Sequence, residues 1–428
     1  MKVIRTRGRG AGEAAALIAR LERRGGAALD SVLPAVRRIV ADVRRHGDRA
    51  LARYARKYDL LPEGALLRVS EGEMGAAWEA CPPAFRRAME TAARRIRDFA
   101  QRQLPKSWTT TAGGVTTGQL VRPLRSVGCY VPSGRHPLPS TLLMTAIPAQ
   151  VAGVERIVVV SPTPVQETLA AAHLLGVSEF YRVGGAHAVA ALAYGTSSLR
   201  RVDKIVGPGS LYVTAAKQVV SADCSIDMLA GPTEIVVTSE RGDPACIAAD
   251  LVAQAEHDPE AVAVLVTVSK TLASAVLEKV RATSRNNPTA QRALRKNGWI
   301  IVASTVEEAR EITNRIAPEH LTVDGAEDLD WVRNAGSVFV GSWSAQPLGD
   351  YISGPNHTLP TGGMAQVRGG LSALDFVKLV TVQEYTPAGV AKFGPHALTL
   401  ARCEGLAAHA LSIQLRLDRA ARSRRRNA

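Results

Sequence analysis

Apolar positions recur at three- and four-residue spacing through the first hundred residues. "EAAALIARLERR", "SVLPAVRRIVADVRRHGDRALARYARKYD" and "PAFRRAMETAARRIRDFAQRQL" are rich in Ala, Leu and Arg and predict helices across residues 12–103. Gly47 and the Pro82–Pro83 pair punctuate them. From about residue 125 the period changes. "SVGCYVP", "RIVVVSP", "EFYRVGG" and "DKIVGPG" are short β-branched runs separated by helical stretches such as "STLLMTAIPAQVAGV" and "AHAVAALAYG". The alternation then repeats with "TEIVVTS", "AVAVLVTVS", "GWIIVAS", "HLTVDG" and "SVFVGSW". Strand followed by helix, repeatedly, implies mainly parallel sheets with helices packed on them.

The expected class is α/β: two Rossmann-like α/β domains with an N-terminal helical region and a C-terminal helical segment. The boundaries fall at residues 1–118, 119–228, 229–375 and 376–428. A loop rich in Gly, Pro, Ser and Asn runs over 344–370, and a loop on a rigid scaffold is a good place for function.

At 46% hydrophobic and 21% charged, the 428 residues have the composition of a globular protein with a sizeable core. No apolar run approaches the roughly 20 residues that span a bilayer, and the N-terminus has no signal-peptide core, so a cytoplasmic location is expected. Five scattered cysteines without a C-x-x-C exclude a disulfide framework or thiolate zinc ribbon and read as buried, inert thiols. The net charge of +14 raises nucleic-acid binding as a rival role. With aromatics at 4% and none interleaved with the basic runs, solvated helical faces and a basic tail are the better reading.

No G-x-G-x-x-G occurs. Three glycine-bearing strand-to-helix turns remain, "VPSG" (131–134), "VGGAH" (183–187) and "VGPGS" (206–210), each able to offer backbone N–H groups to a phosphate but each weak singly. "GDPACIAADLVAQAEHDP" predicts a helix with Asp243 as N-cap, Pro244 at its first position and Pro259 ending it. Gln254 and His257 would then share a face, with Cβ atoms about 5–6 Å apart. That spacing alone favours a surface glutamine and a hydrogen-bonded histidine over a metal pair. "IAPEHLTV" puts Glu319 and His320 at a helix-to-strand junction, where a base and an acid can work in relay. "GDYISGPNHTLPTGG" carries Asp350 and His357, side chains suited to zinc. In "CEGLAAHA", Glu404 and His409 lie five apart on an expected helix, a poor spacing for one face.

The order and spacing of "QAEHDP", "IAPEHLTV", "GDYISGPNHTLPTGG" and "EGLAAHA", with "DMLAGPTEIVV" and "GCYVPSGRHPLPST", resemble the histidinol dehydrogenase family over essentially the whole chain. The resemblance implies oxidation of L-histidinol through the aldehyde to L-histidine with two NAD per turnover, closing histidine biosynthesis. It implies one zinc ion per subunit and a homodimer in which the C-terminal segment enters the partner's active site. Carried over by position, the zinc ligands would be Gln254, His257, Asp350 and His409, the last from the other subunit. Glu319 and His320 would be the catalytic acid/base pair. Thr233, His357 and Glu404 would line the substrate pocket with the ligands and His320, and Tyr130 would touch NAD. The first Rossmann-like domain would carry NAD, and the second the zinc and catalytic residues. Two positions depart from the family pattern within the NAD contacts: His187 stands for glutamine in "GGAHA" and Ser210 for asparagine in "GPGS". No cysteine falls in "QAEHDP", "IAPEHLTV", "GDYISGPNHTLPTGG" or "EGLAAHA", the motifs that carry Gln254, Glu319, His320, Asp350 and His409, which favours a water route through Glu319 over a thiohemiacetal. A related dehydrogenase of another polar alcohol is the nearest alternative.

Overall fold

The structure, a computed structural model, describes residues 1–25, 29–133 and 137–426, so the expected "VPSG" turn lies partly outside the described residues. The chain divides into two compact units. The first comprises Met1–Gln103 and Leu124–Phe376, and the second Leu104–Pro123 and Val377–Ala428.

The first unit holds two six-stranded sheets. In one, Ser126–Tyr130 lies centrally, with Arg156–Val160 and Glu179–Tyr181 on one side and Lys204–Val206 and Ser225–Ile226 on the other. In the other, Glu234–Thr238 is central, flanked by Val262–Thr267 and Gly298–Val302 on one side and His320–Val323 and Ser337–Val340 on the other. These strands are parallel within each sheet. Both sheets thus follow the doubly wound order in which the chain reverses direction beside its first strand.

Continuous apolar runs make this possible. Val158 and Val160 pack into one core cluster while Val159 faces another, and Val264 and Leu265 likewise point to opposite faces. Strands buried on both faces need helices above and below. Each fully buried Val or Leu contributes about 1.5–3 kcal/mol.

The N-terminal segment is more entangled with this scaffold than its helical periodicity suggests. Lys2–Arg5 adds an edge strand to the second sheet, parallel to Gly298–Val302. Arg68–Val69 adds one to the first sheet, antiparallel to Glu179–Tyr181. Helix Ala11–Glu22 packs on Val306–Ile316, and helix Leu33–Tyr58 on Gly185–Tyr194 and Leu211–Val220. Strands of two and four residues are too short to display a two-residue period, which is why the sequence hid them. Gly47, with φ at 52°, kinks the Leu33–Tyr58 helix.

The second unit has a three-stranded antiparallel sheet of Trp108–Ala112, Val115–Pro123 and Val377–Tyr385, followed by helices Pro387–Cys403 and Ala407–Arg426. Two features depart from helical texture here: the region up to residue 118 ends in the strands Trp108–Ala112 and Val115–Pro123, and the C-terminal segment, expected to be helical, begins with a nine-residue strand. The hairpin signal was present in "TTTAGGVTT", where Gly113 and Gly114 supply the two positive φ angles of a tight turn between threonine-rich runs. Among the described residues, no helix is long and apolar enough to cross a membrane.

Candidate active site

Three strands of the second sheet bring the chemistry together at their amino ends. Thr233 precedes Glu234–Thr238, Glu319 precedes His320–Val323, and His320 pairs in register with Ile235 and Ser337. The approach to Glu319 is unusual. Helix Val306–Ile316 ends at Ala317 in a left-handed conformation, with φ at 48°. Gly336 then passes so close that a Cβ there would lie 2.6 Å from the Glu319 carbonyl oxygen. Only a glycine allows that approach, and the Gly336 N–H donates to Pro318 O at 2.9 Å.

Glu319 and His320 are both buried. Glu319 Oε2 accepts from Thr233 Oγ1 at 2.6 Å and from Glu234 N at 2.8 Å. Burial pushes its carboxyl up to about 7 against the nearby His320 charge and these two hydrogen bonds. His320 Nδ1 lies 3.1 Å from the Glu234 carbonyl oxygen. A carbonyl only accepts, so Nδ1 carries the proton and the lone pair sits on Nε2. That Nε2 is buried without a hydrogen-bond partner. Burial alone would lower the imidazole, but the carboxylates of Glu319 and Asp350 outweigh it and raise the ring above its ordinary value. A carboxyl lifted to about 7 beside an imidazole raised above its ordinary value suits proton transfer at a substrate.

Asp350 lies on the short helix Gln346–Tyr351, with Oδ1 3.7 Å from His320 Nε2 and Oδ2 accepting from Gln346 Nε2 at 2.8 Å. Burial works against its charge, but His320 and His357 prevail and hold the carboxyl below the usual range. His357 Nδ1–H donates to the Asp350 carbonyl at 2.9 Å, and its Nε2 meets Thr141 Oγ1 at 3.3 Å. Burial keeps His357 low, with His320 and His257 adding to the effect. A cavity of about 330 Å³ opens beside these groups, lined by His320, Phe339, Asp350, Asn356 and His357, with Trp343 at its rim.

Gln254 is buried on helix Pro244–Ala255, with its Nε2 donating to Thr233 Oγ1 and its Oε1 without a partner. The helix ends at Ala255, earlier than expected, so His257 stands in the following turn. Its N–H still reaches back to Gln254 O at 3.4 Å. Glu256 is drawn away by Asn287 Nδ2 at 2.9 Å.

Glu404 and His409 belong to the second unit. "CEGLAAHA" is a junction and not one helix: Glu404 caps Pro387–Cys403 and His409 lies on Ala407–Arg426. Both are exposed in the single chain.

Two residues that hold the site had no local signal. Arg24, read as part of a solvated basic face, is half-buried in a forked ion pair with the buried Glu234, at 2.5 Å for each contact. It also donates to Ile316 O at 2.6 Å, steadying the backbone turn before Glu319. Of the cysteines, Cys81, Cys129 and Cys224 are buried, but Cys246 and Cys403 are exposed, correcting the expectation for those two. Burial pushes Cys129 up to about 12 and Cys224 up to about 11, so neither is a ready thiolate.

A family model described as histidinol dehydrogenase matches residues 22–417. Histidinol dehydrogenase of Geobacillus kaustophilus is 47% identical over 398 residues, covering 90% of this chain and 94% of the relative. That of Methanothermobacter thermautotrophicus is 44% identical over 414 residues, covering 94% and 97%. The chain belongs to the histidinol dehydrogenase family. It is therefore an oxidoreductase of α/β fold. The crystal structure of histidinol dehydrogenase from Elizabethkingia anophelis superposes with a TM-score of 0.91 at 32% identity, covering 98% of both chains.

The residues expected to contact NAD fall at the other sheet. Tyr130 ends the central strand Ser126–Tyr130, and Ser210 precedes helix Leu211–Val220 after the adjacent strand Lys204–Val206. These are the carboxyl ends of the strands at the switch point of the first sheet, where doubly wound folds accept dinucleotides. Beneath the 207–210 turn, Lys217 pairs with Asp227 and donates to Gly207 O at 3.0 Å, while Asp227 Oδ2 accepts from Gly207 N at 2.7 Å. His187 faces inward: only 2% exposed, it meets Asp59 Oδ2 at 2.7 Å, and the same oxygen accepts from Gly184 N at 2.9 Å. His187 thus acts on the turn from beneath, through Asp59 and the Gly184 backbone. Tyr130 accepts from Gly185 N at 3.1 Å, and burial lifts its phenol to about 12.

The donors also suit a metal. Among the described residues, no three His, Cys, Asp or Glu side chains form a metal-holding group. Gln254, however, presents a buried amide oxygen with no partner. Leaving such an oxygen unpaired costs about 1–3 kcal/mol, and a cation would satisfy it. An amide oxygen of Gln254, an imidazole of His257 and a carboxylate of Asp350 are nitrogen and oxygen donors of the kind zinc takes.

Proposed function

We propose that the protein oxidises L-histidinol to L-histidine through L-histidinaldehyde, as a homodimer using zinc and NAD. The observation that carries the reading is His320. Its Nε2 is buried and unpartnered beside a buried carboxyl near neutrality, at the wall of a cavity. Gln254, His257 and Asp350 would hold the zinc, with His409 of the partner subunit as the fourth ligand. Glu404 of the partner subunit, Thr233 and His357 would line the substrate pocket. NAD would lie against Tyr130 and the Gly207–Ser210 turn, with His187 supporting the neighbouring turn.

Bound zinc supplies a Lewis-acidic anchor for the imidazole and amine nitrogens of the substrate, and bound NAD accepts two electrons in each half-reaction. His320 removes the hydroxyl proton in the first half. Its basicity comes from the Glu319 and Asp350 carboxylates, and its orientation from the Glu234 carbonyl. In the second half Glu319 takes a proton from water as that water adds to the aldehyde carbon, and His320 returns to the carbonyl oxygen the proton it took in the first half. His320 then takes the proton of the hydrate hydroxyl. Support for the dimer comes from the second unit, where Leu400, Leu411 and Leu415 are between 55% and 65% exposed, an apolar surface open in the single chain.

The test is NADH formation from histidinol by the purified, zinc-loaded protein. Two NADH per histidinol are expected. Glu319→Gln should stall oxidation of the aldehyde while largely sparing that of the alcohol. No absorbance change across a wide range of NAD concentrations would overturn the assignment.

A further inference from the structure

Thr233 carries a single hydroxyl proton, and that hydroxyl stands between two residues of different roles. On one side is Glu319 Oε2 at 2.6 Å, and on the other the side-chain amide of Gln254. The carboxylate already accepts from Glu234 N at 2.8 Å and has no proton of its own to offer when ionised. Whenever Glu319 is ionised, the state in which it can act as a base, Thr233 therefore gives its proton to Glu319. Its oxygen is then left as an acceptor, and only the NH₂ end of Gln254 can face it. The amide oxygen is driven to the other side, and that oxygen is the buried Oε1 with no partner in the chain. Gln254 itself is 1% exposed, so water does not decide its orientation.

We propose that Thr233 is a positioning residue that sets which end of Gln254 faces the metal, with Glu319 as the anchor of that orientation. The inference rests on the zinc reading above and extends it. The general base and the metal ligand share one hydrogen-bond chain, Gln254 Nε2–H to Thr233 Oγ1–H to Glu319 Oε2. A residue that touches neither the ion nor the reacting atoms thus controls the direction of a neutral ligand. Glutamine makes this possible, because its two ends are nearly the same shape but opposite in polarity.

The chain has an unusual consequence for position 319. Removing the carboxylate frees the Thr233 proton, which can then donate to Gln254 Oε1 and turn the amide round. Glu319→Ala should therefore weaken zinc binding although residue 319 is no ligand. Glu319→Gln keeps a carbonyl oxygen for Thr233 and Glu234 N, and should bind zinc nearly as the parent does. Thr233→Val removes the relay itself, and Thr233→Ser restores it.

The experiment is zinc binding by the full-length protein, stripped with chelator and titrated with zinc alone against a competing chromophoric chelator. Losses of outer hydrogen-bond partners of metal ligands typically cost 10–100-fold in affinity. A weakening of about that size is expected for Thr233→Val and Glu319→Ala, with Thr233→Ser and Glu319→Gln within about threefold of the parent. Near-ultraviolet circular dichroism of each metal-free variant separates misfolding from loss of orientation. A misfolded Thr233→Val leaves the contrast between Glu319→Ala and Glu319→Gln to decide. Equal zinc affinity in parent, Thr233→Val and Glu319→Ala overturns the inference and leaves the zinc reading intact. A parent protein that binds no zinc overturns both.

Discussion

Replacing Arg24 by alanine tests whether the catalytic strand is held from the N-terminal segment. Glu234 has 4% of its side chain exposed and Arg24 12%, so the pair is cut off from solvent screening. Without the guanidinium, Glu234 Oε1 keeps the Gly362 N–H at 3.0 Å, while Oε2 loses its Arg24 contact. Removing one partner of a buried pair leaves an uncompensated charge and costs about 3–5 kcal/mol. The carbonyl of Ile316 also loses the Arg24 bond. The double variant Arg24→Met, Glu234→Gln removes both charges and keeps an acceptor for Gly362, so most of the loss should return. The assay is chemical denaturation of the metal-free protein, with amide exchange across residues 316–321 reporting local loosening. The backbone that carries Glu319 should exchange faster in Arg24→Ala, and turnover should fall with it. A single variant within about 1 kcal/mol of the parent, or a double variant as unstable as the single, would refute the reasoning.

The carboxyl of Glu319, lifted from 4.5 to about 7, binds a proton in the folded state that the unfolded chain has already released. Its contribution to stability should therefore fall as pH rises from about 4.5 to about 7, by about 3 kcal/mol in all. Unfolding of the metal-free protein at both ends of that window should show this slope, and Glu319→Gln should flatten it; an unchanged slope counts against the shift. Gly336→Ala places a methyl group 2.6 Å from the Glu319 carbonyl oxygen and must displace the backbone. Displacements approaching 1 Å at a catalytic group lower kcat about 10²-fold, which steady-state kinetics with saturating substrate would read. His187→Leu leaves the Asp59 carboxylate buried with the Gly184 N–H and without its imidazole. A loss of about 1–3 kcal/mol is expected in denaturation, and His187→Gln should recover part of it.

Much was legible in the sequence. The shift from helical to strand-and-helix periodicity near residue 125 announced the doubly wound sheets, because parallel strands buried on both faces must be continuously apolar. The motifs around Gln254, Glu319 and Asp350 were weak singly and gained weight only from their joint resemblance to one family, whereas Asp243 caps its helix as read, accepting from Ala245 N at 2.6 Å. The Gly-Gly hairpin at 113–114 was equally visible but was absorbed into the helical texture upstream of it.

Other features lay beyond local reading. The edge strands Lys2–Arg5 and Arg68–Val69 exist only because a sheet edge is there to receive them. Arg24 sits in a run of charges that looks solvated, yet its partner is 210 residues away. His187 looks like a turn residue facing ligand, yet Asp59 draws it inward. The orientation of the Gln254 amide follows from Thr233 and Glu319, which three separate strand and helix ends bring within hydrogen-bond reach. Periodicity and capping are decided by neighbours within a few residues, so the chain carries them openly. Which distant groups meet, which are buried, and which end of an amide is left unpaired are decided by topology and by the expulsion of water, and these exist only once the chain has closed on itself.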